Sequence, residues 1–172
     1  MKYLEEWKES LHRKPLILQG ARQVGKTYSV LEFGRNHYEN VAYFNFESNP
    51  KLADTFAESI SPDYLIPILS HIAGQTIIKE KTLIIFDEVQ MCERALTSLK
   101  YFCEEAPEYH IIVAGSLLGV AVNSLWGAFS DTLVTLIPET SILSNDFKIG
   151  DFSGVTYQKL IPVAILCALA TI

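Results

Sequence analysis

The 172-residue sequence predicts an α/β fold, a parallel sheet covered by helices on both faces in a three-layer α/β/α arrangement. Short apolar runs alternate with stretches of helical periodicity over the first 116 residues, the order in which βαβ units are strung. Two of the runs, Thr82-Leu83-Ile84-Ile85-Phe86 and His110-Ile111-Ile112-Val113-Ala114, are nearly continuous in apolar character. That pattern suits strands buried on both faces. A third, Leu16-Ile17-Leu18, passes straight into a glycine-bearing turn ahead of a helix. The length accommodates one folded unit, and 49% hydrophobic with 20% charged residues is the balance of a globular chain.

The elements follow in order. Tyr3, Leu4, Trp7 and Leu11 share one face of an amphipathic opening helix, and that stripe is expected to pack on the core. Pro15 ends it before the first strand at 16–18. A helix is expected from 27 to about 36, then a second strand at Val41-Ala42-Tyr43-Phe44-Asn45-Phe46, rich in β-branched and aromatic residues. Pro50 opens a turn, and 51–74 reads as helical with interruptions at Pro62 and Pro67. After the strand at 82–86, Ala95, Leu96, Leu99, Phe102 and Cys103 recur at helical spacing, which makes Cys103 a small buried hydrophobe. The strand at 110–114 then leads to Gly115-Ser116.

Charge and cysteine content leave several classes without support. A net charge of -6 supplies no electrostatic footprint for nucleic acid. Lys8, His12, Arg13 and Lys14 are interleaved with Glu5, Glu6 and Glu9 and read as a solvated helix face. Cys92, Cys103 and Cys167 form no CxxC pair and match no histidine spacing, so neither zinc nor disulfides are indicated. The N-terminus has no apolar core of a secretory signal, and a cytoplasmic location is expected. Only Asp131, Glu139, Asp146, Lys148, Asp151 and Lys159 carry charge after Ser116. The apolar stretch 160–172 contains Pro162 and falls short of the roughly 20 residues of a membrane span, so it reads as a buried tail and not as an anchor.

The chemistry concentrates in two places. Gly20-Ala21-Arg22-Gln23-Val24-Gly25-Lys26-Thr27 has the spacing of a phosphate-binding loop, Walker A, between an expected strand and an expected helix. Its glycines let successive N–H groups turn inward at the positive end of the helix, so all eight residues are candidate nucleotide contacts. Lys26 would neutralise β- and γ-phosphate oxygens, and the Thr27 hydroxyl would ligate Mg²⁺. Asp87, closing the apolar run, is a Walker B carboxylate and second candidate metal ligand, and Glu88 is placed to activate a water. These features specify a P-loop NTPase. No Asn-Lys-x-Asp guanine-reading motif is present, so ATP is the expected nucleotide.

With these motifs the chain resembles the N-terminal ATPase module of a prokaryotic AAA+-type family of the ASCE class. The resemblance is carried by Arg13-Lys14-Pro15-Leu16 before the loop, Asn45-Phe46-Glu47 with Pro50, Phe86-Asp87-Glu88-Val89-Gln90, and Ala114-Gly115-Ser116-Leu117-Leu118-Gly119-Val120. It implies that Ser116 is the sensor-1 group contacting the γ-phosphate or attacking water, and that Asn45 restrains the catalytic Glu when nucleotide is absent. It also implies a core over 1–122. The stretch 123–172 departs from the family, reading as a divergent tail with a fifth core strand near 132–138 and no recognisable lid. A truncated or frame-shifted product is one expectation for it.

The four arginines, at 13, 22, 35 and 94, all precede the tail, so no lid arginine can come from it. A Mg²⁺-dependent ATPase is therefore expected beside the alternative of a nucleotide-binding module or fragment without efficient turnover. A homo-oligomer or protein partner is the remaining source of an arginine finger. A small-molecule kinase is disfavoured, because Glu88 suits water activation.

Overall fold

The computed structural model describes residues 2–19, 25–115, 134–138 and 147–150. Its elements are α1 (Lys2–Glu9), β1 (Leu16–Gln19), α2 (Lys26–His37), β2 (Asn40–Asn45), α3 (Leu52–Glu58), α4 (Pro62–Ala73), β3 (Thr82–Asp87), a 3-10 turn (Val89–Met91), α5 (Glu93–Glu105), β4 (His110–Gly115), β5 (Val134–Pro138) and β6 (Phe147–Gly150). The sheet order is β2-β3-β4-β1-β5-β6. All neighbours run parallel except β6, which pairs antiparallel with β5. Parallel pairing brings the C-terminal tips of β1, β2, β3 and β4 to one edge of the sheet.

Period-two alternation divides each strand between two cores. Ile84 and Phe86 of β3 face a core built with α3, α4 and α5, while Leu83 and Ile85 face one built with α1 and α2. Every residue of β3 and β4 is buried, in keeping with their nearly continuous apolar sequences. Phe44, Phe46, Phe56 and Phe86 form a cluster with ring centroids 5.6 to 5.9 Å apart, mostly edge to face. Such pairs contribute about 0.5–1.5 kcal/mol each beyond burial. The cluster packs on the opposite face of β3 from the one that Asp87 shares with Leu83 and Ile85.

The structure corrects four local expectations. The opening helix stops at Glu9, so Leu11 is 97% exposed while Leu4 and Trp7 alone seat it on the core. The Trp7 indole then donates to the Lys14 carbonyl at 2.8 Å, which turns the chain into β1. The basic segment is a solvated face only in part: Glu5, Glu6, Glu9 and His12 are exposed, but Arg13 is half-buried, donates to the Lys8 carbonyl at 2.7 Å, and has its pKa lowered by burial. Pro67 does not interrupt α4, whose flanking Leu65 and Leu69 are fully buried and outweigh one missing backbone hydrogen bond. The break falls instead at 59–61, and Pro62 takes the first helical position, where no N–H is needed. Of the two cysteines among the described residues, Cys92 is buried and Cys103 is only half-buried.

Within the expected tail, β5 pairs with β1 from Leu16 opposite Val134 to Leu18 opposite Leu136. The hairpin partner β6 had no counterpart in the sequence reading. The apolar stretch 160–172 lies outside the described residues. Among the described residues no helix is long and apolar enough to cross a membrane.

Candidate functional site

The site is assembled from the helix that follows the phosphate loop and from the tips of β2 and β3. Gly25 opens α2 with φ of 81°, a left-handed conformation that favours glycine, and its carbonyl accepts the Ser29 N–H at 3.0 Å. Lys26 and Thr27 fall in the first turn. Lys26 is buried, and burial lowers its pKa from the usual lysine range, with Glu88 and Asp87 opposing that shift. The first turn of α2 holds no acidic residue.

Asp87 reaches that helix because of strand alternation. It shares its strand face with Leu83 and Ile85, which pack in the α2 core, so its carboxylate points toward Thr27. The Thr27 hydroxyl donates to Asp87 Oδ2 at 2.9 Å across 60 residues of sequence. Asp87 Oδ1 accepts the Glu88 N–H at 3.0 Å. A hydroxyl and a carboxylate are hard oxygen ligands that suit Mg²⁺, so the residues present fit the cation the motifs imply. Among the described residues no group of three or more His, Cys, Asp and Glu could hold a metal by itself. Mg²⁺ at this place would keep waters and take phosphate oxygens, its usual preference.

Glu88 adopts φ of 51°, uncommon for a side chain other than glycine. The turn lets its carboxylate receive the side-chain amide of Gln90. Asn45 stands opposite Asp87 in the β2–β3 register. Its amide donates to the Tyr43 hydroxyl at 3.2 Å, and its Oδ1 accepts the Ser48 N–H at 2.7 Å. Tyr43 in turn donates to Asp87 Oδ2 at 2.7 Å. Burial, then the bond to Asp87, pushes the Tyr43 pKa up to about 12, so the phenol remains a donor at neutral pH.

Lys26, Thr27, Asp87, Glu88 and Asn45 therefore converge at one edge of the sheet. Gly20, Ala21, Arg22, Gln23, Val24 and Ser116 lie outside the described residues, although β4 runs to Gly115 at that same edge. Sequence reasoning missed Tyr43 and Gln90. Tyr43 was within reach of it, because residues 43 and 45 of one strand must share a face. Gln90 depends on the 3-10 turn, which apolar periodicity does not reveal.

Residues 12–135 match the family model described as an AAA domain, more than half of the chain. The chain belongs to that AAA-domain family. Its sheet is accordingly that of a P-loop NTPase, the fold of nucleotide-binding, ATPase-type domains. No curated protein matches it. Among solved structures, a Walker-type ATPase of Pyrococcus abyssi is similar at 18% identity and a TM-score of 0.47, over 78% of this chain and 52% of that one. PCH-2 of C. elegans is similar at 15% identity and a TM-score of 0.43, over 80% of this chain and 42% of that one. The chain thus spans about half or less of the length of these structures.

Proposed function

We propose that this AAA domain binds ATP with Mg²⁺ and hydrolyses it. The observation that carries the reading is the 2.9 Å hydrogen bond from Thr27 to Asp87. It commits the hydroxyl proton to the carboxylate and leaves the Oγ1 lone pairs for a hard cation. Lys26, at the start of α2, pairs with the β- and γ-phosphate oxygens, and residues 20–25 wrap the phosphates with backbone N–H groups. Mg²⁺, when bound, neutralises charge on the same oxygens. Glu88 acts as general base toward the attacking water, and Ser116 orients that water or the γ-phosphate. Asn45 serves the nucleotide site through Tyr43, the partner its amide reaches.

Titration of the full chain with MgATP, against Lys26→Ala, tests the binding. Equal affinity in the two proteins would remove the nucleotide from this loop. Phosphate release tests the chemistry: Glu88→Gln should lose at least about 100-fold, the low end of what a positioned base contributes. Activity surviving that change comes from elsewhere.

A second reading, binding without efficient turnover, is favoured by the arginines. Arg94 spends its Nε donor on the Phe56 carbonyl at 2.6 Å, and Arg13 is committed to the Lys8 carbonyl. A second copy of the chain, or another protein, would supply the arginine that stabilises γ-phosphate charge where these two do not. Phosphate release per chain that rises with chain concentration at saturating MgATP supports self-assembly.

A further inference from the structure

We propose that Tyr43 is the positioning residue for the carboxylate that holds Mg²⁺, so that β2 as well as the phosphate loop sets how strongly the cation tightens nucleotide binding. The inference rests on the reading of Thr27 and Asp87 as the metal-holding pair.

A carboxylate that holds a hydrated cation must present its oxygens in one orientation, yet the terminal torsion of an aspartate is soft. At Asp87 three donors remove that freedom. The Glu88 N–H fixes Oδ1 at 3.0 Å, and the hydroxyls of Thr27 and Tyr43 share Oδ2 at 2.9 and 2.7 Å. The first comes from the adjacent peptide and the second from the loop helix that the nucleotide itself engages. Tyr43 is the donor supplied from a neighbouring strand, and its bond is the shortest of the three. Hydrogen bonds to an ionised acceptor are stronger than neutral ones, so this contact is the firmest available lock on Oδ2.

The phenol is itself held. Asn45 donates to its oxygen at 3.2 Å and is anchored in turn by the Ser48 N–H at 2.7 Å. Both Tyr43 and Asn45 lie on the strand face that Asp87 shares through the β2–β3 register. The relay from Ser48 through Asn45 and Tyr43 thus ends on the oxygen that Thr27 also uses. Partners behind a metal-holding group typically alter metal affinity 10- to 100-fold when removed.

The test is the Mg²⁺ dependence of nucleotide affinity. The full chain is titrated with an ATP analogue carrying a fluorophore on its ribose, first in EDTA and then over a Mg²⁺ series. In Tyr43→Phe the Mg²⁺ concentration giving half-maximal tightening should rise about tenfold, with affinity in EDTA unchanged. Asn45→Ala should shift it in the same direction by less. An unchanged Mg²⁺ requirement in Tyr43→Phe overturns the proposal, as does an equal loss of affinity in EDTA, which would mean that the ring only supports the fold. If the wild type binds no tighter with Mg²⁺ than in EDTA, the metal-site reading itself falls, a result distinguishable from either.

Discussion

At the scale of single residues, burial and charge pull strongly on His110, at the opposite end of β4 from the proposed nucleotide edge. Its ring is 4% exposed, Nδ1 shares a 2.7 Å hydrogen bond with the Tyr38 hydroxyl, and Trp7 and Tyr38 stand edge-on to it. Burial, then the charges of Arg13 and Lys8, lowers its pKa from 6.5 to about 4. The unfolded chain therefore binds this proton more tightly than the folded one. The stability the neutral ring contributes is present above pH 6.5 and is lost as pH falls toward 4. Between pH 7 and 5 the wild type should lose about 2 kcal/mol more than His110→Gln, measured by urea unfolding. Parallel pH curves for the two proteins would show that the imidazole is free to charge in the folded state. The basic residues around it had read as surface, because a charge pattern along a helix says nothing of what packs across it.

At the scale of elements, the contact between α2 and the sheet is closest at Gly34. A Cβ there would stand 2.7 Å from Val41 Cγ2 and 3.1 Å from Leu83 Cδ2. Alanine would gain about 1 kcal/mol in helix propensity, against roughly 1–3 kcal/mol for overpacking beside a stiff β-branched neighbour. Gly34→Ala is thus expected to destabilise by about 1 kcal/mol, and the sign should reverse in a Val41→Ala background, where the methyl has room. Urea unfolding of the four proteins in the cycle decides it, and a stabilising Gly34→Ala in the parent would mean that the strand yields freely. The start and type of α2, β2, β3, α5 and β4 were legible from periodicity. The end of α1 was not, since Leu11 continues the apolar pattern on a residue that the turn toward Pro15 has already carried into solvent.

At the scale of the whole molecule, the proposed nucleotide site draws on α2, β2 and β3, so occupancy should stabilise the entire unit. MgATP at a hundredfold excess over its dissociation constant should add about 2.7 kcal/mol to unfolding, and Lys26→Ala should show none of it at the same concentration. The readout is the urea midpoint with and without MgATP. Equal stabilisation of both proteins would place the ligand away from α2. The same unit accommodates β5 beside β1 despite the change in composition after Ser116, because a strand needs a register and an apolar pattern more than it needs charge.

The sequence alone determined which segments are strands and helices over most of the core, and it marked the residue types proposed to meet the phosphates and the cation. Those are local properties: apolar periodicity and the Gly-Lys-Thr and Asp-Glu spacings are read within a few residues. Tertiary structure decided what stands beside what. The order β2-β3-β4-β1-β5 brings Thr27 and Asp87 to 2.9 Å and aims Tyr43, not Asn45, at the Asp87 carboxylate. Neighbour relations of this kind follow from crossovers and from the strand face each side chain takes against its layer of helices, and these exist only once the sheet has formed.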